Sequence, residues 1–305
     1  MAPLLLIAAL SSLTLTPATG HLVVVGGGLF TPDIAQRTLS LAGGKAAHVL
    51  IIPQASLWSG TGPRWQTIWQ QAGARQVTIL NLNDRNAALE AIKTADLIWM
   101  SGGSQDRLMQ ALSQPGLGQA IRDRFLHGAT VAGTSAGAAV MSAIMLSRKG
   151  PIPVLEDGLG LWPDVIVDQH YLRRHRGTRL LDAVLHHPEK LGVGIDEATA
   201  VLVEGRHFEV IGRSEVVVFD ARKAIPGRPK QGATVTRAGL LRYNQFELRA
   251  GMTFDLDTRR LHGSDTAPAG VPAPALIKPP KQKRPSPLVP REGTAAPKET
   301  RIGLP

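Results

Sequence analysis

No cysteine occurs in the 305 residues. Thiol nucleophiles, disulfide staples and zinc–thiolate sites are thereby excluded, and the absence is compatible with an oxidising compartment. Aromatic residues are scarce, at 4%, and acidic residues are outnumbered, with 24 Asp and Glu against 34 Lys and Arg. Long apolar runs are missing too. The longest, residues 3–15, is too short to span a bilayer, so no membrane span is expected. What remains is 43% apolar and rich in Gly, Val, Leu and Ala, an ordinary α/β composition in a chain long enough for one large core.

The two ends read differently from the middle. Apolar residues 3–15 are followed by Thr16-Pro17-Ala18-Thr19-Gly20, a short apolar segment and then small residues, as in a secretory signal. The expectation is a signal peptide over 1–20 and an exported (periplasmic or extracellular) protein. No Lys or Arg opens the leader, and a cytoplasmic location is the alternative if it is not a true signal. Residues 266–305 carry seven Lys and Arg, two Glu and ten Pro, with no Phe, Tyr or Trp. Such a segment buries too little apolar surface to fold alone and reads as a disordered tail. Without aromatics among its basic residues it has no stacking platform for nucleic acid, and none is expected as a partner.

Between these ends lies one domain, residues 21–265. Strand candidates at 22–25, 48–52, 76–80, 97–100, 130–132, 165–167, 198–203 and 216–219 are nearly continuous Val/Ile/Leu runs, as buried parallel strands are. Amphipathic helical patterns fall at 33–41, 64–71, 85–92, 105–112, 117–125, 136–146 and 177–186. Such alternation implies βαβ units and a three-layer αβα sandwich about a mostly parallel, doubly wound sheet, with functional groups at the carboxyl ends of strands. Residues 220–265 read as small strands completing the same domain.

Gly133-Thr134-Ser135-Ala136-Gly137 is a G-x-S-x-G placed between a strand candidate and a helix candidate. A nucleophilic serine is presented this way, on a tight turn whose glycines avoid clashes and whose following helix aims free N–H groups at an oxyanion. The other reading is a Gly/Ser turn made for strand–helix packing. Gly26-Gly27-Gly28 follows a strand, but the dinucleotide fingerprint fails because its last glycine is replaced by Thr31. A tight turn near the pocket is expected instead. Ser101-Gly102-Gly103-Ser104-Gln105 also follows a strand. Gly103 can supply a second oxyanion donor beside Ala136, while Ser104 suits a helix N-cap.

A second informative stretch, Asp168-Gln169-His170 through Arg173, Arg174, Arg176 and Arg179, again follows a strand candidate. His170 can act as base for Ser135. Clustered guanidinium groups repel unless something anionic meets them, so a carboxylate-rich ligand fits; a solvated basic helix start is the plainer alternative. Two acids near it in sequence could orient the histidine: Glu156, between Ser135 and His170, or Asp168, which is awkwardly close to His170.

Gly133-Thr134-Ser135-Ala136-Gly137-Ala138-Ala139, Asp168-Gln169-His170 with Arg174, Arg176 and Arg179, and Gly194-Ile195-Asp196-Glu197-Ala198-Thr199-Ala200 together resemble the cyanophycinase family, serine peptidases related to dipeptidase E. The resemblance runs from about residue 22 to 260. It implies a class I glutamine amidotransferase-like fold, a homodimer, no cofactor and no metal. It implies exo-cleavage of cyanophycin, a poly-aspartate with arginine on each β-carboxyl, to β-Asp-Arg dipeptides. Carried over motif by motif, it implies Ser135 as nucleophile, His170 as base, Glu197 as third member, and a pocket of Gln105, Asp168, Gln169, Arg174, Arg176 and Arg179. One departure stands out: Ser104 replaces an aspartate common in the family. The alternatives are a dipeptidase E-like aspartyl or isoaspartyl peptidase, and a non-catalytic binding protein of the same fold. An α/β-hydrolase esterase would need a histidine near the C-terminus, and His262 has no supporting motif.

Overall fold

The computed structural model describes residues 19–147, 154–226 and 241–262. All but the last two residues of the expected leader, and the whole expected tail, lie outside the described residues.

The strand β1 (Leu22–Val25) is buried along its whole length. Its side chains alternate between two cores: Val23 and Val25 enter one, Leu22 and Val24 the other, as the period of two dictates. It pairs in parallel with β5 (Thr130–Thr134), which continues in parallel through β4 (Leu97–Met100), β2 (His48–Ile52) and β3 (Gln76–Ile79). On its other side β1 pairs antiparallel with β10 (Thr199–Glu204). The sheet ends in β11 (His207–Gly212), β14 (Thr253–Asp255) and β15 (Arg260–His262), all antiparallel. Among the described residues this is one nine-stranded sheet.

Helices cover both faces of the parallel half. From α1 (Pro32–Leu41) and α2 (Thr61–Gln71), residues such as Ile34, Leu39 and Trp69 share a core with Val49, Ile51 and Trp99. From α3 (Arg85–Thr94), α4 (Gln105–Leu112) and α5 (Leu117–Leu126), Ile92, Leu108 and Ile121 pack with Leu50, Ile52 and Ile98 on the other face. The α/β layering expected from the alternating pattern is present.

A second sheet completes the domain. Its order is β13 (Leu241–Leu248), β12 (Val216–Pro226), β9 (Leu191–Ile195), β8 (Val165–Gln169). One face, with Val165, Val167, Val193 and Val218, shares a core with Val201, Val203 and Val210 of the large sheet. The other is covered by α7 (Gly177–His186) through Leu180 and Val184.

The helix expected over 136–146 is a single turn, α6 (Ala136–Ala139), followed by a hairpin of β6 (Ile144–Ser147) and β7 (Val154–Asp157). The N–H groups of Leu159, Trp162, Gly160 and Gly158 donate to the carbonyls of Val140, Met141, Ser142 and Ala143 at 2.7, 2.8, 3.1 and 2.9 Å. Those carbonyls cannot also propagate a helix, and tertiary pairing overrides a uniformly apolar segment. The strand β11 is a further element the sequence reading did not single out.

Candidate active site

Three strand ends converge on one tripeptide. The carbonyls of Val25, Gly26 and Gly27, in succession at the end of β1, accept from the N–H groups of Ser135 (3.0 Å), His170 (2.7 Å) and Ala198 (2.9 Å). Ser135 follows β5, His170 follows β8, and Ala198 follows Glu197 on the link from β9 to β10. The glycines are needed for space and conformation. Gly27 has φ of +110°, and a Cβ there would overlap the His170 imidazole. Gly28 has φ of +68°, and a Cβ would lie 2.7 Å from that of Glu197. The glycine cluster that failed as a nucleotide fingerprint is the floor beneath these side chains.

On that floor stands a hydrogen-bonded line. Glu197 Oε1 lies 2.6 Å from His170 Nδ1, and His170 Nε2 lies 2.8 Å from Ser135 Oγ. An ionised carboxylate only accepts, so Nδ1 carries the ring proton and Nε2 is left to accept from the serine hydroxyl. Ser135 has φ of 53° and ψ of −107°, a conformation costing about 1–3 kcal/mol for a non-glycine residue. His170 and Ala198 also have positive φ, 50° and 54°. Strain gathered at one site, and held there by three backbone hydrogen bonds, is typical of a preorganised centre.

Burial lowers the His170 pKa below its ordinary 6.5; the hydrogen bond it donates to Glu197 offsets part of this, and the Arg174 and Arg176 cations add to the lowering. The imidazole is therefore neutral at neutral pH and able to take a proton from the serine.

Beside the serine, the Gly102-Gly103 turn is close: a Cβ on Gly102 would lie 3.3 Å from that of Ser135. Among the described residues neither the Gly103 nor the Ala136 N–H has an acceptor, and Ala136 opens α6. Two free donors beside a serine can serve a developing oxyanion. Ser104 caps α4, its hydroxyl accepting from Arg107 N at 3.3 Å.

The other singled-out residues are close by but differently engaged. The Asp168 side chain is 0% exposed. It accepts from Arg176 Nη1 at 3.0 Å, from Arg179 Nε at 2.7 Å and from Arg179 Nη2. Gln169 accepts from Arg176 through its carbonyl, at 2.7 Å, and its side-chain oxygen. The anion that meets the clustered arginines is thus Asp168 itself. Gln105 Nε2 donates to the Leu146 carbonyl at 2.5 Å. Arg174 is exposed, and no described residue pairs with its guanidinium. Glu156 stands on β7, paired across the hairpin with Met145, so the structure brings Glu197 to His170 rather than Glu156. Asp196, quoted above only as part of a motif, has a positioning role: its oxygens accept from Arg173 N (2.9 Å) and Ser214 Oγ (2.8 Å), tying the histidine loop to the loop that bears Glu197. Its position beside Glu197 was the available signal.

The model for peptidase family S51 matches residues 22–211. The chain is 39% identical over 218 residues to the cyanophycinase of Geminocystis herdmanii (strain PCC 6308), covering 66% of this chain and 80% of that one. It is 39% identical over 203 residues to the cyanophycinase of Trichormus variabilis (strain ATCC 29413 / PCC 7937), covering 62% and 68%. Peptidase E of Actinobacillus pleuropneumoniae serotype 7 (strain AP76) is more distant, 26% identical over 193 residues, 60% of this chain and 82% of that one. Among solved structures, a peptidase from an acI-B1 Actinobacterium shares the fold, with a TM-score of 0.59 and 24% identity over 79% of this chain and 98% of that one. With the family model spanning residues 22–211 and two cyanophycinases matching at 39% identity, the protein belongs to peptidase family S51 and is a serine-type peptidase.

Proposed function

We propose that the enzyme hydrolyses cyanophycin, releasing β-Asp-Arg through a covalent seryl intermediate. The observation that carries this reading is the Ser135–His170–Glu197 line; the identity to two cyanophycinases supports the substrate. Ser135 Oγ attacks an α-peptide carbonyl of the aspartate backbone as His170 Nε2 takes its proton. Glu197 stabilises the imidazolium, and the Gly103 and Ala136 N–H groups receive the oxyanion. His170 then gives the proton to the leaving amine. Water repeats the sequence on the ester and frees the serine. Arg174, exposed and with no described residue on its guanidinium, is available to meet a substrate carboxylate, and Gln105, Gln169, Asp168, Arg176 and Arg179 complete the proposed pocket. The apolar leader supports action outside the cytoplasm.

Incubation with cyanophycin granules and mass analysis of the soluble fraction is expected to show β-Asp-Arg. Ser135→Ala should lower turnover about 10⁴- to 10⁶-fold. A mutant with parental activity would remove the mechanism. Because peptidase E relatives also match, Asp-X dipeptides belong in the same assay, and faster cleavage of these than of the polymer would favour a short-peptide enzyme.

A further inference from the structure

The position of the exposed apolar side chains is not random. Among the described residues the large exposed ones are Leu29, Leu57, Trp58, Leu126, Val154 and Leu172. Four of them lie just beyond the carboxyl ends of β1, β2 and β8: Leu29, Leu57, Trp58 and Leu172. Single exposed apolar residues need no explanation, whereas several that follow the carboxyl ends of strands, where Ser135 and His170 also lie, invite one.

Trp58 is 60% exposed and firmly seated. Its N–H donates to Ser56 Oγ at 3.1 Å and its carbonyl accepts from Thr61 N at 3.1 Å. The indole lies against Gly60, where a Cβ would come within 2.6 Å of Trp58 Cε2. The same loop is bound to the turn that carries the Gly103 donor: Ala55 O accepts from Ser104 N at 2.9 Å and from Arg107 Nη1 at 2.8 Å. The Trp58 main chain is thus held three residues from Ala55, the residue bonded to that turn, and its ring packs on Gly60.

The acids around the site are spoken for. Glu197 serves His170, Asp168 serves two arginines, Asp196 serves Arg173 N and Ser214, and Asp106 accepts from Ser147 Oγ at 2.7 Å. Position 104, at the mouth of the turn, holds a serine used as a helix cap. Each of these carboxylates already has a protein partner, and an aromatic face is a further way to hold a substrate guanidinium.

Resting on the cyanophycin reading above, we infer that Trp58 is a specificity-determining residue whose indole face receives the arginyl side chain of the substrate. The ring is held before binding, so little ordering cost opposes the contact.

The test compares the parent, Trp58→Ala and Trp58→Phe proteins on soluble cyanophycin and on poly-aspartate of similar length. The ratio of kcat/KM for the arginyl chain over the arginine-free chain is expected to fall about 3- to 30-fold in Trp58→Ala, mainly through KM, and to be largely restored in Trp58→Phe. An unchanged ratio, or an equal loss on both polymers, overturns the inference. Binding of short β-Asp-Arg oligomers to Ser135→Ala, with and without Trp58→Ala, separates the two readings. Oligomers that bind in a Trp58-dependent way but are not cleaved by the parent protein keep the subsite and remove the activity; cleavage with Trp58-independent binding does the reverse.

Discussion

In the proposed mechanism His170 is the side chain that decides the chemistry. Its pKa is held below 6.5 by burial, with Arg174 and Arg176 contributing and Glu197 opposing. A base must be neutral, so activity is lost as pH falls through that lowered pKa, and the acid limb of kcat/KM should have its midpoint below 6.5. Replacing Arg174 by Gln removes a cation that disfavours the imidazolium. The pKa then rises and the limb moves to higher pH; a limb that stays put or moves down would refute the electrostatic account. Asp168 is the second residue with large leverage. Its carboxylate is buried, and two guanidinium groups converge on it, so removing it would leave two part-buried cations uncompensated, a far larger penalty than the pair's net worth.

Among elements, the end of β1 matters most. Gly27→Ala would place a methyl in the His170 ring at a φ of +110°. Turnover should fall about 100-fold or more, since misplacing a catalytic group by an ångström has that effect. Gly43→Ala is the control: its φ is +98°, yet nothing lies within 4 Å of the added Cβ, so it should keep activity and lose only about 1 kcal/mol of stability. Equal kinetic losses in both would mean that the glycines matter for backbone conformation alone. Much of this element was readable. Residues 22–25 are an unbroken apolar run, and Ser135 and His170 each follow another such run, which is enough to put them on one edge of an α/β fold. Glu197 was one of three possible acids until the structure placed it 2.6 Å from the imidazole. What could not be read is long-range. The carbonyls that end α6 after one turn are taken by residues 158–162, and no local pattern in 136–146 announces that. Nor does a run such as 165–169 say which of two sheets it joins.

At the scale of the whole domain the two sheets are bolted as well as packed. Arg259, on the turn between β14 and β15 of the large sheet, reaches Asp220 of β12 at 2.7 Å and the Glu189 carbonyl just before β9. Burial alone would raise the Asp220 pKa, but hydrogen bonds from Arg222 and Arg259 outweigh it and hold the carboxyl below its ordinary value. The link therefore persists until pH falls through that lowered value. Arg259→Met strands a buried carboxylate that keeps only Arg222, and should cost about 3 kcal/mol, read as a lower urea midpoint at unchanged slope. A change under about 0.5 kcal/mol would mark the contact as incidental.

The three consecutive carbonyls at residues 25–27 act as a common datum for Ser135, His170 and the loop that bears Glu197, the proposed nucleophile, base and acid, which come from distant parts of the chain. Errors in such an arrangement are correlated. One residue inserted just ahead of this tripeptide would shift every reference mark together, so no single repair elsewhere could realign the set.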